Sequence, residues 1–134
     1  MSYFKIEEFL ITGEMPEQEI VDKIQHHIDV MNPVREAYGK PITVSQRSGY
    51  RPVWWEKQRG RSGNSQHCFK GKGAADYTGS DLQELLKMLI LHSSYTRICY
   101  YKKQNFIHCD FKPAKGGRRL YKAVGGRWQF VQNI

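Results

Sequence analysis

The chain has 134 residues, a formal net charge of +8 and 40% hydrophobic residues. Length and apolar content fit one globular domain spanning 1–134, and they exclude a disordered chain or one that needs disulfide staples. No apolar run approaches the roughly 18 residues of a transmembrane helix, so no membrane insertion is expected.

Residues 1–15 read as a lead-in segment. The start, Met1 to Glu8, carries acids where a signal peptide needs a basic start and an apolar core, so synthesis in the cytoplasm without an export signal is expected. Pro16 then opens a helix with Glu17 and Glu19 in its first turn, where the macrodipole favours acids. Ile20, Ile24, Ile28 and Met31 recur at helical spacing and form its apolar face. His26 and His27 read as surface or helix-edge residues of this helix. Asn32-Pro33 is expected to cap and restart the chain as a second short helix that Gly39 ends.

Ile42 to Ser45 is β-rich and reads as a strand continuing towards Ser48-Gly49-Tyr50-Arg51-Pro52. Residues 53–66 read as a loop with Trp54, Trp55, Gly60, Gly63 and Asn64. Ser80-x-x-Gln83 resembles a capping box before a helix containing Leu82, Leu85, Leu86, Leu89 and Ile90. Arg97–Tyr101 and Phe106–Phe111 read as a hairpin joined by Lys102-Lys103-Gln104, and the Gly-Gly pairs at 116 and 125 suggest another. Helices first and strands later imply an α+β domain, with an antiparallel sheet packed against N-terminal and central helices.

The chemistry concentrates in two stretches. Ser65-Gln66-His67 to Gly73-Ala74-Ala75-Asp76 places a histidine and an aspartate among small residues, which permit close backbone approach. In Phe106-Ile107-His108-Cys109-Asp110, strand alternation puts His108 and Asp110 on one face. Imidazole and carboxylate are both zinc ligands, and three protein ligands with one open position is the pattern of catalytic zinc. A structural histidine beside an aspartate is the plainer alternative. Cys68, Cys99 and Cys109 are odd in number and form no C-x-x-C pair, so reduced structural thiols are expected. The basic charge attracts polyanions without choosing among nucleic acid and an anionic cell wall. Trp54, Trp55, Lys57, Arg59 and Arg61 suit base stacking, or else wall a substrate groove.

Ser48-Gly49-Tyr50-Arg51, Ser65-Gln66-His67, Gly73-Ala74-Ala75-Asp76 and Phe106-Ile107-His108-Cys109-Asp110 stand in the order found in the M15 family of D-Ala-D-Ala peptidases. Glu7-Glu8-Phe9 and Asn32-Pro33-Val34-Arg35-Glu36 resemble its small single-domain branch, so the likeness runs over roughly 4–120. It implies the fold shared with the Hedgehog signalling domain. It also implies a zinc peptidase, carboxypeptidase or endopeptidase, acting on peptidoglycan stem peptides or cross-links. A monomer is then expected, with no nucleic-acid partner, reaching the wall as a phage or prophage lysin or as part of a phage tail. The resemblance makes His67, Asp76 and His108 the Zn2+ ligands, Arg51 the group that meets substrate or the developing oxyanion, and Ser65 a substrate-orienting hydroxyl. An ion pair for Arg51 and a turn cap for Ser65 are the structural alternatives.

Two departures stand out. The spacing from His67 to Asp76 is two residues longer than usual, and Phe69-Lys70-Gly71-Lys72 holds the excess. Members of the family place an acidic general base three positions before the last histidine, where this chain has Asn105, which cannot accept a proton at neutral pH. Asp110 is the nearest replacement, as base or as hydrogen-bond partner of a ligand, and Glu56 is a weaker candidate base. The same fold without peptidase function, a zinc-stabilised module that binds cell wall, is the competing expectation.

Overall fold

The repeat of Ile20, Ile24, Ile28 and Met31 builds helix α1 in the computed structural model, which describes residues 2–45 and 49–134. The helix is longer than expected. It runs unbroken from Gln18–Tyr38 with Pro33 inside it, so Asn32-Pro33 does not restart the chain. An internal proline removes one backbone hydrogen bond and costs about 3 kcal/mol in an isolated helix. Here Met31, Val34 and Tyr38 on either side of it are buried in the core, and that packing carries the helix through. Gly39 closes the helix at φ +72°, as expected. The lead-in segment is part of the same core. A 3-10 turn at Ile6–Phe9 brings Phe4, Phe9 and Leu10 onto α1.

Two further local expectations are corrected. Within 53–66, Val53–Gln58 forms helix α2, because Pro52 sets its entry and Trp55 turns inward to be buried. Helix α3, Leu82–His92, is capped by Asp81 and not by Ser80, with the Asp81 carboxylate accepting from the Glu84 N–H at 3.1 Å. Either residue is a good cap; one-residue ambiguity is inherent in a Ser-Asp pair.

Six strands form one sheet: β1 Ile42–Val44, β2 Ala74–Gly79, β3 Arg97–Tyr101, β4 Phe106–Asp110, β5 Arg119–Val124 and β6 Arg127–Asn133. Their order is β1-β2-β4-β3-β5-β6. The sheet is mixed, not purely antiparallel, because β5 runs parallel to β3. That pairing requires the chain to cross from the end of β4 to the start of β5 before the Gly125-Gly126 turn closes the last hairpin. The expected continuation of β1 through Ser48 lies partly outside the described residues.

Alternation sorts the sheet into two faces. Ala75, Tyr77, Ile98, Ile107, Cys109 and Leu120 join α1 and α3 in the hydrophobic core. Asp76, His108, Asp110, Arg97 and Cys99 therefore share the other face. Among the described residues, no helix is long and apolar enough to cross a membrane.

Candidate metal centre

Asp76 and His108 are register partners on the adjacent strands β2 and β4, so the sheet itself sets their side chains next to one another. His67 arrives on a 3-10 turn, Gln66–Cys68, that lies against β2. The Ser65 hydroxyl caps that turn by accepting from the His67 N–H at 3.2 Å. The three residues are 3–8% exposed.

Their facing atoms form a small triangle. His67 Nε2 is 3.3 Å from His108 Nδ1 and 3.5 Å from Asp76 Oδ1, and His108 Nδ1 is 2.8 Å from Asp76 Oδ1. Ligands about 2.0–2.1 Å from one tetrahedral ion stand about 3.3 Å apart. The triangle therefore matches the donor spacing of a zinc-sized ion, and these three residues can hold a metal.

The outward ring nitrogens are also committed. His67 Nδ1–H donates to the Gly49 carbonyl at 3.0 Å, and His108 Nε2–H donates to Asp110 Oδ2 at 2.8 Å. Each bond fixes the tautomer that turns the other nitrogen inward, as metal-binding histidines require. Gly49 sits where no other residue fits: a Cβ there would lie 2.4 Å from the Phe9 carbonyl oxygen. That close approach, sealed by Tyr50 N–H donating to the same oxygen at 2.7 Å, holds the Gly49 carbonyl under His67.

The charges favour a cation. Burial pushes the Asp76 carboxyl up, but hydrogen bonds with His108 and His67 outweigh it and hold it well below the usual range. Burial pushes His108 down, while hydrogen bonds to Asp110 and Asp76 bring it up to about 9. Asp110 is held at about 2 by His108 and Arg97 against the pull of burial. Arg97 grips Asp110 bidentately, at 2.8 Å from Nε and 2.5 Å from Nη2, and neutralises it. Among the described residues, the side-chain partners of Asp76 are the two histidines. Protonated His108 is the counter-charge of buried Asp76, and a divalent ion bound by neutral imidazoles would displace that proton and take over the role.

The other sequence-derived candidates take definite positions. Both Asp110 oxygens are engaged, by His108, Arg97 and the Lys112 N–H at 3.0 Å. Arg51 donates its backbone N–H to the His67 carbonyl at 2.7 Å, and its guanidinium pairs with Glu56 at 3.4 Å. Glu56 is 1% exposed and also pairs closely with Arg61, so the expected flexible-loop acid is a buried brace. Its carboxyl lies below the usual range, because the two arginines outweigh the upward push of burial. Asn105 sits in the β3–β4 turn at φ +61°, a conformation asparagine tolerates well. Trp55 is buried with the Arg59 guanidinium stacked at 3.5 Å, so these two groups are spent on each other.

His27 is a correction: it is fully buried, not at the surface. Its Nε2–H donates to the Lys72 carbonyl at 2.9 Å and its Nδ1 accepts from Tyr95 Oη at 2.7 Å, which in turn meets Tyr77 Oη at 2.6 Å. Lys23 Nζ donates to the Phe69 carbonyl at 2.9 Å. The longer His67–Asp76 connection is thus pinned onto α1 at both ends. Hairpin counting could have found Arg97, which register places opposite Asp110. The Gly49 carbonyl and Trp128, whose ring stands 5.2 Å from that of His108, had no sequence signal.

A mixed α+β scaffold that converges two imidazoles and a carboxylate on one buried point, with each imidazole fixed from behind, defines a protein built around a candidate metal centre. Residues 2–110 match the family model of peptidase M15, and the chain belongs to that family, whose members are typically zinc-dependent. No curated protein and no solved structure gives a significant match to the chain.

Proposed function

We propose that the chain is a zinc metallopeptidase of the Hedgehog/D-Ala-D-Ala peptidase fold that hydrolyses peptide bonds in bacterial peptidoglycan stem peptides or cross-links. The observation that carries this reading is the triangle of His67, Asp76 and His108, with Gly49 and Asp110 fixing the imidazoles behind it. Family membership over 2–110 supports the peptidase class. Zinc held there supplies Lewis acidity towards water and the scissile carbonyl.

The chain's own residues then divide the remaining work. Asp110 orients His108 and keeps its Nε2 protonated; with both oxygens engaged it is better placed for this than for moving a proton. Arg51, braced by Glu56 and anchored to the His67 backbone, is assigned to a substrate carboxylate or to charge developing on the carbonyl oxygen. The Ser65 hydroxyl sets the His67 turn. On this reading the enzyme acts on the wall after release through a membrane lesion or as a carried phage component.

Asn105 and the saturated Asp110 favour one second reading, a zinc-stabilised cell-wall binding module without turnover. Metal analysis followed by digestion of purified peptidoglycan, with fragments identified by mass, separates the two. The peptidase reading expects stoichiometric zinc, new fragments, and loss of both in His67→Ala. Stoichiometric zinc with no fragments under any condition would leave the binding module.

A further inference from the structure

The family match ends at residue 110, yet the sheet continues through β5 and β6 on the metal-bearing side. Register pairs link Asp76, His108, Cys99, Tyr121 and Phe130 in one row across five strands. Paired positions share a face, so Tyr121 and Phe130 lie on the same side of the sheet as the candidate ligands. Trp128 lies one alternation further along β6. Its indole reaches back to within 5.2 Å of the His108 ring, past the small residues Cys99 and Ala123 on the intervening strands.

These rings form a continuous, braced strip. Tyr121 is 5.2 Å from Trp128 and 6.2 Å from Phe130. The Trp128 indole N–H donates to Tyr101 Oη at 2.7 Å, and the Arg97 guanidinium lies 4.7 Å above the indole. Arg119 stacks on Phe130 at 3.9 Å, and its buried Nε has no hydrogen-bond partner among the described residues. Phe130 nonetheless remains 48% exposed on a strand that is open along almost its whole length. An exposed edge strand with large apolar side chains is a liability that proteins usually suppress, and its retention beside a reactive centre points to a use.

We propose that this strip is a polymer-binding platform for the glycan strand that carries the stem peptide. Sugar rings lie with their C–H faces on Trp128, Tyr121 and Phe130, and a stem carboxylate meets Arg119. The inference rests on the peptidoglycan reading above. Two features select this occupant over others: the strip is continuous with the metal centre through the Trp128–His108 contact, and Arg119, which forms no ion pair among the described residues, brings the positive charge that a carboxylate-bearing polymer requires.

The test compares an insoluble polymer with a small soluble substrate. The zinc-loaded full chain, Phe130→Ala and Arg119→Ala are assayed on purified sacculi and on a free stem peptide, and the chelator-treated proteins are co-sedimented with sacculi. Val124→Ser, exposed at the end of β5 on the face opposite Tyr121, is the control, and melting curves verify folding. The expected result is a drop of about tenfold in sacculus binding and in the sacculus-to-peptide rate ratio for the two platform variants, the size of one lost aromatic anchor. Arg119→Lys is expected to recover only part of the loss, because a lysine restores charge but not the planar stack. An unchanged ratio and unchanged co-sedimentation would overturn the platform, as would an equal loss in Val124→Ser. Displacement of the protein from sacculi by an equal charge of polynucleotide would overturn the glycan assignment in favour of a general polyanion surface. If the parent chain cleaves neither substrate, the peptidase reading fails, while the co-sedimentation arm still decides the platform.

Discussion

Two residues along the same strand, Asp110 accepts from His108 Nε2–H at 2.8 Å while the opposite nitrogen of that ring faces Asp76 at 2.8 Å. The imidazole is therefore held between two carboxylates with different duties. Asp110 is neutralised by Arg97 and serves as a fixed acceptor; Asp76 keeps its charge for the centre.

Asp110→Asn removes the charge that orients His108 and leaves the Arg97 guanidinium without its carboxylate. Loss of such a partner weakens metal affinity by roughly 10–100-fold. Competition for zinc with a calibrated chelator reads this directly. Unchanged affinity would place Asp110 outside the metal centre's support.

Gly49→Ala forces a methyl onto the Phe9 carbonyl, 2.4 Å away, and moves the acceptor of His67 Nδ1–H. Overpacking of this kind costs roughly 1–3 kcal/mol. Urea unfolding of the metal-free protein measures the stability loss, and zinc affinity is expected to fall with it. A variant as stable as the parent would show that the Phe9 backbone yields easily.

Chelation is expected to lower the melting temperature. A ligand bound only by the native state stabilises it by about 4 kcal/mol at a thousandfold excess over Kd. His67→Ala should melt at one temperature with or without chelator. A parent protein indifferent to chelator would show that the three side chains meet for another reason.

His27 gives the fold an acid limit. Burial lowers its pKa from 6.5 to about 4, against the opposing hydrogen bond to the Lys72 carbonyl. Between those values the unfolded chain binds more protons than the folded one, so falling pH favours unfolding. The residue's contribution is complete above pH 6.5 and fades towards pH 4, by up to roughly 3 kcal/mol. His27→Gln keeps a donor and an acceptor without titrating there. Its stability is expected to vary less steeply with pH across this window, as followed by denaturant midpoints; parallel profiles for the two proteins would remove His27 as the cause.

The local code was readable where one kind of signal stood alone. The repeat of Ile20, Ile24, Ile28 and Met31 needed only helical geometry, and the 97–111 hairpin needed only alternation and a short turn. Signals that compete were decided elsewhere. Pro33 argues for a break, but the burial of Met31, Val34 and Tyr38 overrules it. Trp54-Trp55 inside a Gly-rich stretch gives no clear period, yet inward packing of Trp55 makes α2. Strand β2 is hidden because Ala74, Ala75 and Asp76 have little intrinsic β preference and are held by neighbours on both sides.

The sequence by itself named the candidate donors: the order of motifs shared with the M15 family pointed to His67, Asp76 and His108, and strand alternation, a local property, put Asp110 on the His108 face. Only the tertiary structure decided that Asp76 and His108 are register partners, that a backbone carbonyl at Gly49 orients His67, that His27 pins the long connection, and that a parallel β5 carries Trp128 back beside the centre. Those relations join residues tens of positions apart. They come from strand order and shared burial, which no window of neighbouring residues contains.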